Sequence, residues 1–206
     1  MARAQGKGST KSLISLLLVE GDTDVIFWTR IKAAYLNEFR ITISNLEGNF
    51  NINKKVLCKV DGFCETHSDE HVRVYCCLDR ESRYGKVPEF NLRNIRREIQ
   101  ERNIRSVLSV DAIIATQQIE SWFFWDIETI YTHLPVPRSR RRINAYRPPE
   151  RYTYHDMIKL FRDYNKTYNK GKKCQYFIDQ LNLDRIIKNC KELREGIELI
   201  KGNAQK

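Results

Sequence analysis

The stretch SLISLLLVEGDTD, residues 12–24, decides the fold that this chain is predicted to adopt. Residues 12–19 form a short and nearly continuous apolar run, which is the pattern of a β-strand buried on both faces of a parallel sheet. A polar turn follows at residues 20–23, and from Asp24 to Leu36 the apolar side chains recur at helical spacing. A buried strand, a tight turn and a helix make the first half of a strand–helix–strand unit.

The same alternation continues as far as residue 115. Strands are predicted over residues 39–46, 71–78 (ending at Asp79) and 107–115, and helices over residues 53–66 and 90–102. Alternating strands and helices are typical of a parallel sheet with crossover helices. A helical pattern rich in aromatic residues follows over residues 117–133. The sequence therefore predicts an α/β, Rossmann-like parallel sheet of about four strands flanked by helices.

Charge divides the chain into two parts. Residues 1–134 hold 18 Lys and Arg against 18 Asp and Glu, whereas residues 135–206 hold 18 against 8, so the net charge of +10 lies in the last third. A linker over residues 134–149 contains four of the five prolines. We predict a core domain over residues 1–134 and a basic, mostly helical extension over residues 135–206. Its helical patterns cover residues 154–168, 174–180 and 183–201.

A run of arginines in the extension indicates a polyanionic partner. Six arginines fall within residues 138–151, and Tyr146 and Tyr152 lie among them. Guanidinium groups bind phosphates and tyrosine rings can stack on bases, so nucleic acid is the predicted partner. The alternative is a solvated basic loop that only aids solubility. The arginines assigned to binding are Arg138, Arg140, Arg141 and Arg142.

Composition and missing motifs exclude several classes of protein. With 41% apolar and 11% aromatic residues the chain is not expected to be disordered. No apolar run reaches the roughly 18 residues of a membrane span, and no secretory signal is recognised, so a cytoplasmic protein without a membrane partner is expected. The segment GKGST precedes the first strand and lacks the spacing of a phosphate-binding loop. ATP hydrolysis by this chain is therefore not expected.

The six cysteines are predicted to be reduced thiols, because no Cys-x-x-Cys pair occurs and two of them lie in an apolar strand. Four residues within a short stretch could instead ligate zinc, although their first gap is unusual for a zinc module. They are Cys58, Cys64, His67 and His71. We favour the reduced thiols.

Acidic residues follow two of the predicted strands. Glu20 comes directly after the first strand, and Asp79 and Glu81 lie in LDRE, residues 78–81, at the end of the third. Because parallel strands end at the same edge of a sheet, where ligands bind, Glu20 and Asp79 are predicted to meet. Carboxylate oxygens placed together there can hold magnesium or manganese. Taken singly, each motif could also be a turn with a solvated acid.

Together these motifs resemble the Toprim domain, which topoisomerases, bacterial primases and nucleases of the OLD (overcoming lysogenisation defect) type share. The family places a glutamate after its first strand, matched by Glu20, and an Asp-x-Asp after a later strand, matched by Asp79 and Glu81. The Glu at the second of these positions is a departure, and its longer side chain would shift the ligand geometry. OLD-type nucleases carry a further acid four residues after the first glutamate, and Asp24 stands there.

A second segment extends the resemblance. IIATQQIESWFFWD, residues 113–126, looks like the Ile-Glu-x-Trp segment of small Toprim-related proteins of bacterial and phage defence and abortive-infection systems, and it presents Glu120. The alternative is that its aromatic residues are plain core and Glu120 is a surface acid. The resemblance covers residues 12–130 well and the basic extension more faintly.

The resemblance implies a metal-dependent endonuclease that cleaves phosphodiester bonds in DNA or in RNA, including tRNA, with one or two Mg²⁺ or Mn²⁺ ions. The implied catalytic residues are Glu20, Asp79 and Glu81, and the implied metal ligands are Glu20, Asp24, Asp79, Glu81 and Glu120. Basic residues expected to bind nucleic acid beside them are Arg80, Arg83, Lys170, Lys172 and Lys173. The lysines would reach the acids only if the extension folds back over the edge of the sheet.

Family resemblance also implies a biological role, that of a toxic effector in anti-phage defence. OLD-type domains often work with an ABC-type ATPase, and because this chain lacks an ATP site, a separate ATPase partner encoded alongside is implied to hold it in check. Assembly into a homo-oligomer is left open. The alternative function is a non-catalytic nucleic-acid-binding or regulatory subunit on a Toprim-like scaffold, which the Glu81 departure and the basic extension suggest.

Overall fold

A computed structural model describes residues 12–81 and 90–204. Within these ranges four strands form one sheet in the order β2-β1-β3-β4, and every pairing is parallel. The strands are β1 (Ser12–Val19), β2 (Ile41–Asn45), β3 (Glu70–Asp79) and β4 (Val107–Ala115). The predicted α/β, Rossmann-like fold with a four-stranded parallel sheet is confirmed, and β1 and β4 have the predicted bounds.

Crossover helices cover both faces of the sheet. They are α1 (Asp22–Tyr35), α2 (Ile52–Thr66) and α3 (Leu92–Glu101). Side chains of β1 alternate between the two faces: Leu17 packs in the same cluster as Phe27 of α1, whereas Leu16 packs in the cluster of Val56 of α2 and Ile95 of α3. Both faces of β1 are buried, which explains why its sequence is apolar at nearly every position.

The strand order places the carboxyl ends of β1 and β3 side by side in the middle of the sheet. From β1 the chain leads outward to β2 on one side, and from β3 it leads outward to β4 on the other. The strand order therefore changes direction between β1 and β3, and in open α/β sheets this switch point is the usual ligand position. Glu20 follows β1 and Asp79 ends β3, so the fold brings these two acids to the switch point.

Helices of the second half of the chain pack on the α1 side of the sheet. They are α4 (Ile119–Phe123), α5 (Ile127–His133), α6 (Tyr154–Asp163), α7 (Gln175–Gln180), α8 (Leu183–Asn189) and α9 (Lys191–Ala204). One hydrophobic cluster runs from Val19 of β1 through Trp122 of α4 to Ile197 of α9. Helix α9 lies so close to β4 that a Cβ at Gly196 would be 2.6 Å from Ile113 Cγ2. The domain boundary after residue 134 remains a prediction, although residues on both sides of it share this cluster.

Three predicted helices are shorter than their sequence patterns. The helix predicted over residues 117–133 is divided by a 3₁₀ turn at Phe124–Asp126. The helix predicted over residues 183–201 breaks at Cys190, which separates α8 from α9. Helix α6 ends at Asp163 because Asn165 adopts a left-handed conformation with φ 56°, which asparagine tolerates and a helix does not.

The cysteines are free, as predicted, and all but Cys58 are buried. No helix in the described ranges has the length and apolar character that crossing a membrane requires.

Candidate functional site

Four carboxylates come together at the carboxyl edge of the sheet, and we call them the acidic cluster. Glu20 follows β1, Asp24 lies in the first turn of α1, Asp79 ends β3, and Glu120 lies in α4 just after β4. Each of the four interacts electrostatically with the other three. Asp24 and Asp79 are only 7% and 8% exposed and Glu120 is 0% exposed, so three of these charges are removed from water.

Backbone N–H groups position three of these carboxylates. The Asp79 N–H donates to Glu20 Oε2 over 3.4 Å, and the Ile119 N–H at the start of α4 donates to Asp79 Oδ1 over 3.0 Å. The Gly21 N–H donates to Asp24 Oδ2 over 3.2 Å at the start of α1. The orphan donors of helix starts and strand ends thus hold the acids in place.

Lys170 brings a positive charge into the acidic cluster. Its Nζ lies 3.3 Å from Glu120 Oε1 and 4.6 Å from the centre of the Tyr154 ring. The segment returns to the edge of the sheet because the Gly171 N–H donates to Thr23 Oγ1 over 2.8 Å, and Gly171 has a left-handed φ of 74°. The extension therefore does fold back over the edge, as the sequence analysis required for its lysines to reach the acids.

The other two lysines of this segment are placed differently. Lys172 and Lys173 lie in the 3₁₀ turn Gly171–Cys174 and are exposed. Within the described residues no ion pair joins either of them to the acidic cluster.

Burial and mutual repulsion raise the pKa values of the acids. Desolvation is the main cause at Asp24, and together with repulsion from Glu120 and Glu20 it raises the pKa of Asp24 to about 8. The same causes hold the pKa of Asp79 well above its ordinary range, with Asp24 as the strongest repelling neighbour. Desolvation opposes a charge on Lys170, yet the surrounding acids outweigh it and raise the pKa of its ammonium. When all four acids are ionised, their negative charge exceeds what one lysine balances.

The donor set of the acidic cluster fits a hard divalent cation. Carboxylate oxygens are the ligands that Mg²⁺ and Mn²⁺ prefer. Glu120 Oε2 is a buried acceptor without a hydrogen-bond partner, a cost that a bound cation would remove. The residues that would hold the ion are Glu20, Asp24, Asp79 and Glu120.

In their present rotamers the four carboxylates of the acidic cluster do not point toward one common position. Across residues 12–81 and 90–204, no three His, Cys, Asp or Glu side chains form a group that could hold a metal ion as they stand, the Cys58 to His71 stretch included. The hydrogen bonds explain this, since each carboxylate turns toward an N–H, a hydroxyl or Lys170, and like charges avoid one another without a cation. Side-chain rotation would have to accompany metal binding.

Glu81 lies at the rim of the acidic cluster. It is half-buried, has a left-handed φ of 50°, and its Oε1 accepts a hydrogen bond of 2.9 Å from Gln118 Nε2. Its charge contributes to raising the pKa of Glu20, second to burial among the causes that raise it. Gln118 Oε1 accepts from the Tyr154 N–H over 2.9 Å, so Gln118 connects Glu81 to the backbone of Tyr154, the residue whose ring lies under Lys170.

Sequence reasoning missed Gln118 and also Tyr168, whose hydroxyl donates to Glu120 Oε1 over 3.4 Å. Gln118 directly precedes the Ile-Glu pair, which was a usable signal. Tyr168 stands 48 residues from Glu120, and nothing in its local sequence indicated the contact.

The predicted nucleic-acid-binding arginines are mostly exposed. Arg80 is exposed beside Asp79, and Arg83 lies outside the described residues. Arg141 is half-buried and its Nε donates to the Val136 carbonyl over 2.9 Å. The exposed members of the run are Arg138, Arg140 and Arg142.

The two tyrosines of the arginine run pack inside the protein. The Tyr146 ring stacks on Phe124 with centroids 5.2 Å apart, and the Tyr152 ring lies 5.1 Å from Phe124. Both rings are half-buried, so their placement gives no support to the expected stacking on bases.

Comparisons with known proteins place the chain in a family but assign no activity. No curated protein and no solved structure matches it. One family model matches residues 19–198, a range that includes the whole acidic cluster and Lys170. The chain belongs to the DUF4276 family, a domain of unknown function.

Proposed function

We propose that this protein is a metal-dependent Toprim nuclease that hydrolyses phosphodiester bonds in DNA or in RNA. The acidic cluster is the observation that carries the proposal. Its four carboxyl groups, three of them buried, lie together at the carboxyl edge of the sheet, where they repel one another and cost folding free energy. Binding of a cation would explain why the fold keeps these acids together. In addition, the positions of Glu20 and Asp79 match those at which Toprim enzymes carry metal ligands.

The residues of the cluster would share the work of hydrolysis. Glu20, Asp24, Asp79 and Glu120 would hold one or two Mg²⁺ or Mn²⁺ ions, which supply a Lewis acid and lower the pKa of bound water. Glu81, held by Gln118 at the rim, is available as a further acid near Glu20.

Lys170 has a separate role, in stabilising negative charge on the substrate. Its side chain is 40% exposed, so the ammonium can contact a phosphate oxygen while it stays beside Glu120. Exposed Arg80 lies next to Asp79, and Lys172 and Lys173 lie two and three residues after Lys170; these three would neutralise neighbouring phosphates. The exposed arginines Arg138, Arg140 and Arg142 would bind phosphates farther along the strand.

The biological role is proposed from the resemblance to small Toprim-related defence proteins. We place the protein in the cytoplasm as a toxic effector of an anti-phage, abortive-infection system. A separate ABC-type ATPase encoded alongside would hold its activity in check, since no phosphate-binding loop occurs in this sequence.

A second candidate is a nucleic-acid-binding or regulatory subunit without catalysis. The ion pair of Glu120 with Lys170 favours it, because a lysine can neutralise a buried acid without a metal. In that case phosphate binding would depend on the exposed arginines of residues 138–142, and substitution of the acids would leave it unchanged.

Cleavage assays separate the two candidates. Purified protein and Glu20→Ala are incubated with plasmid, single-stranded DNA and total cellular RNA, in magnesium, in manganese or in EDTA. The matched control is Asp69→Asn, an exposed acid before β3 at the opposite edge of the sheet. Cleavage that requires metal and Glu20 but not Asp69 supports the nuclease and names its substrate. Binding without cleavage in every metal, with the proposed ATPase partner present, would refute it in favour of the subunit.

A further inference from the structure

The loop that follows β2 lies at the same edge of the sheet as the acidic cluster and is tied to it. The Gly48 N–H donates to the Glu20 carbonyl over 2.8 Å, and the Leu46 N–H donates to the Val19 carbonyl over the same distance. Phe50 is two residues beyond Gly48, which limits their Cα separation to about 8 Å. The backbone at Phe50 therefore lies near the backbone of a cluster residue.

Several hydrogen bonds make this loop rigid. Lys55 Nζ donates to the carbonyls of Glu47 (2.7 Å) and Gly48 (3.1 Å), and Asn45 Oδ1 accepts from the Glu47 N–H over 2.7 Å. Left-handed conformations at Glu47, Gly48 and Asn51 set the sharp path of the chain. A backbone held in this way has less conformational freedom to lose on binding, which lowers the entropy cost.

Phe50 is the large apolar side chain that this loop presents to solvent, and it is 78% exposed. Exposing an aromatic ring to this extent forfeits the burial free energy that such a side chain contributes in a core. The ring borders a groove of about 310 Å³. The groove is also lined by Leu46, Glu47, Asn51, Lys54, Lys55, Cys58 and Lys59.

The positive charge of the groove indicates which kind of ligand would bind there. Lys54 and Lys59 are exposed on α2, and in the described part of the chain neither forms an ion pair. Three lysines against the single acid Glu47 leave the groove positive, which favours a phosphate backbone. A planar apolar ring beside positive charges is the arrangement with which proteins hold single strands, the ring stacking on a base and the cations contacting phosphates. Bases of a duplex are already stacked and are closed to such a contact.

We propose that Phe50 stacks on an unpaired base of a single-stranded nucleic acid while Lys54 and Lys59 contact its phosphates. The inference rests on the proposed nuclease function and specifies its substrate as a strand with an unpaired base next to the cleavage site. The contact uses the base face and the phosphates, so it is shared by DNA and RNA.

Binding assays in EDTA test this contact without any cleavage. Fluorescence anisotropy is measured with a labelled oligo-dT, an oligo-U of equal length, an abasic oligonucleotide and a duplex. Phe50→Ala is expected to weaken binding of the single strands about 5- to 150-fold, with binding restored in Phe50→Tyr. Binding of the abasic strand should be unchanged by the substitution, because it offers no base to stack.

Salt dependence tests the lysines. Lys54→Ala and Lys59→Ala should each reduce the slope of log affinity against log salt by about 0.7. The control variants are Leu108→Ala and Arg105→Ala, an exposed apolar and an exposed basic side chain at the amino end of β4, on the opposite edge of the sheet. Their single-strand binding should equal that of the wild type.

Equal binding of the single strands by wild type and Phe50→Ala would overturn the inference and would favour a protein partner for the ring. Absence of single-strand binding by the wild type, or equal effects of Phe50→Ala on duplex and single strand, would overturn it as well. The nuclease proposal fails on a different observation, the lack of Glu20-dependent cleavage in metal. The two failures are therefore distinguishable.

Discussion

Replacing Asp24 with asparagine is expected to stabilise the metal-free protein at neutral pH. The buried Asp24 carboxyl has its pKa raised from 3.8 to about 8, chiefly by desolvation and then by repulsion from Glu120 and Glu20. The folded state therefore keeps a proton that the unfolded state releases above about pH 4. Asparagine resembles the protonated acid in shape and carries no charge to bury.

The size of the effect follows from the pKa shift. Because the folded pKa is raised, the stability of the wild type falls between about pH 4 and about pH 8, at about 1.4 kcal/mol per pH unit. At pH 7 this amounts to about 4 kcal/mol, and at pH 4 to about zero. The difference between Asp24→Asn and the wild type should grow with pH over that interval.

Urea unfolding in EDTA, repeated at several pH values across this interval, measures the difference directly. The control is Asp69→Asn, which removes an exposed acid from the opposite edge of the sheet and should follow the wild type. Parallel stability curves for Asp24→Asn and wild type would refute the reasoning, since they would mean that the folded protein does not raise the pKa of Asp24. Added Mg²⁺ should stabilise the wild type more than Asp24→Asn, because a bound ion stabilises the ionised carboxylates.

Two further substitutions test the packing that builds the site. Arg185→Met removes the 3.0 Å ion pair to the fully buried Asp126. We expect the free energy of unfolding, measured in urea, to fall by about 2–3 kcal/mol. An unchanged midpoint would contradict a stabilising role for this pair. Gly196→Ala forces Ile113 to shift and should cost about 1–3 kcal/mol by the same measurement. Gly62→Ala is its control, because the added methyl on α2 meets open space and should stabilise the protein by about 0.5–1 kcal/mol. Equal changes in the free energy of unfolding for the two variants would show that α9 does not pack tightly against β4.

The positions of Glu20 and Asp79 were predictable because they depend on strands with strong local patterns. Strand β1 is buried on both faces, so its apolar run begins and ends where the strand does. The acids follow directly, and parallel topology then requires them to lie at one edge. Helix bounds in the second half were less predictable, because a 3₁₀ turn after α4 and a break at Cys190 after α8 interrupt helices whose apolar pattern continues across them.

By itself, the sequence determined the parallel α/β sheet, the edge at which the acids meet and the uneven distribution of charge, since all three follow from local apolar periodicity and composition. Only the tertiary structure decided that Lys170 and Tyr168 return to Glu120, some 50 residues earlier in the chain, and that the loop carrying Phe50 is hydrogen-bonded to the backbone of Glu20. Such contacts depend on how separate elements pack and on which backbone donors they leave for side chains. No local pattern encodes that information, because it arises from the arrangement of the whole chain around one core.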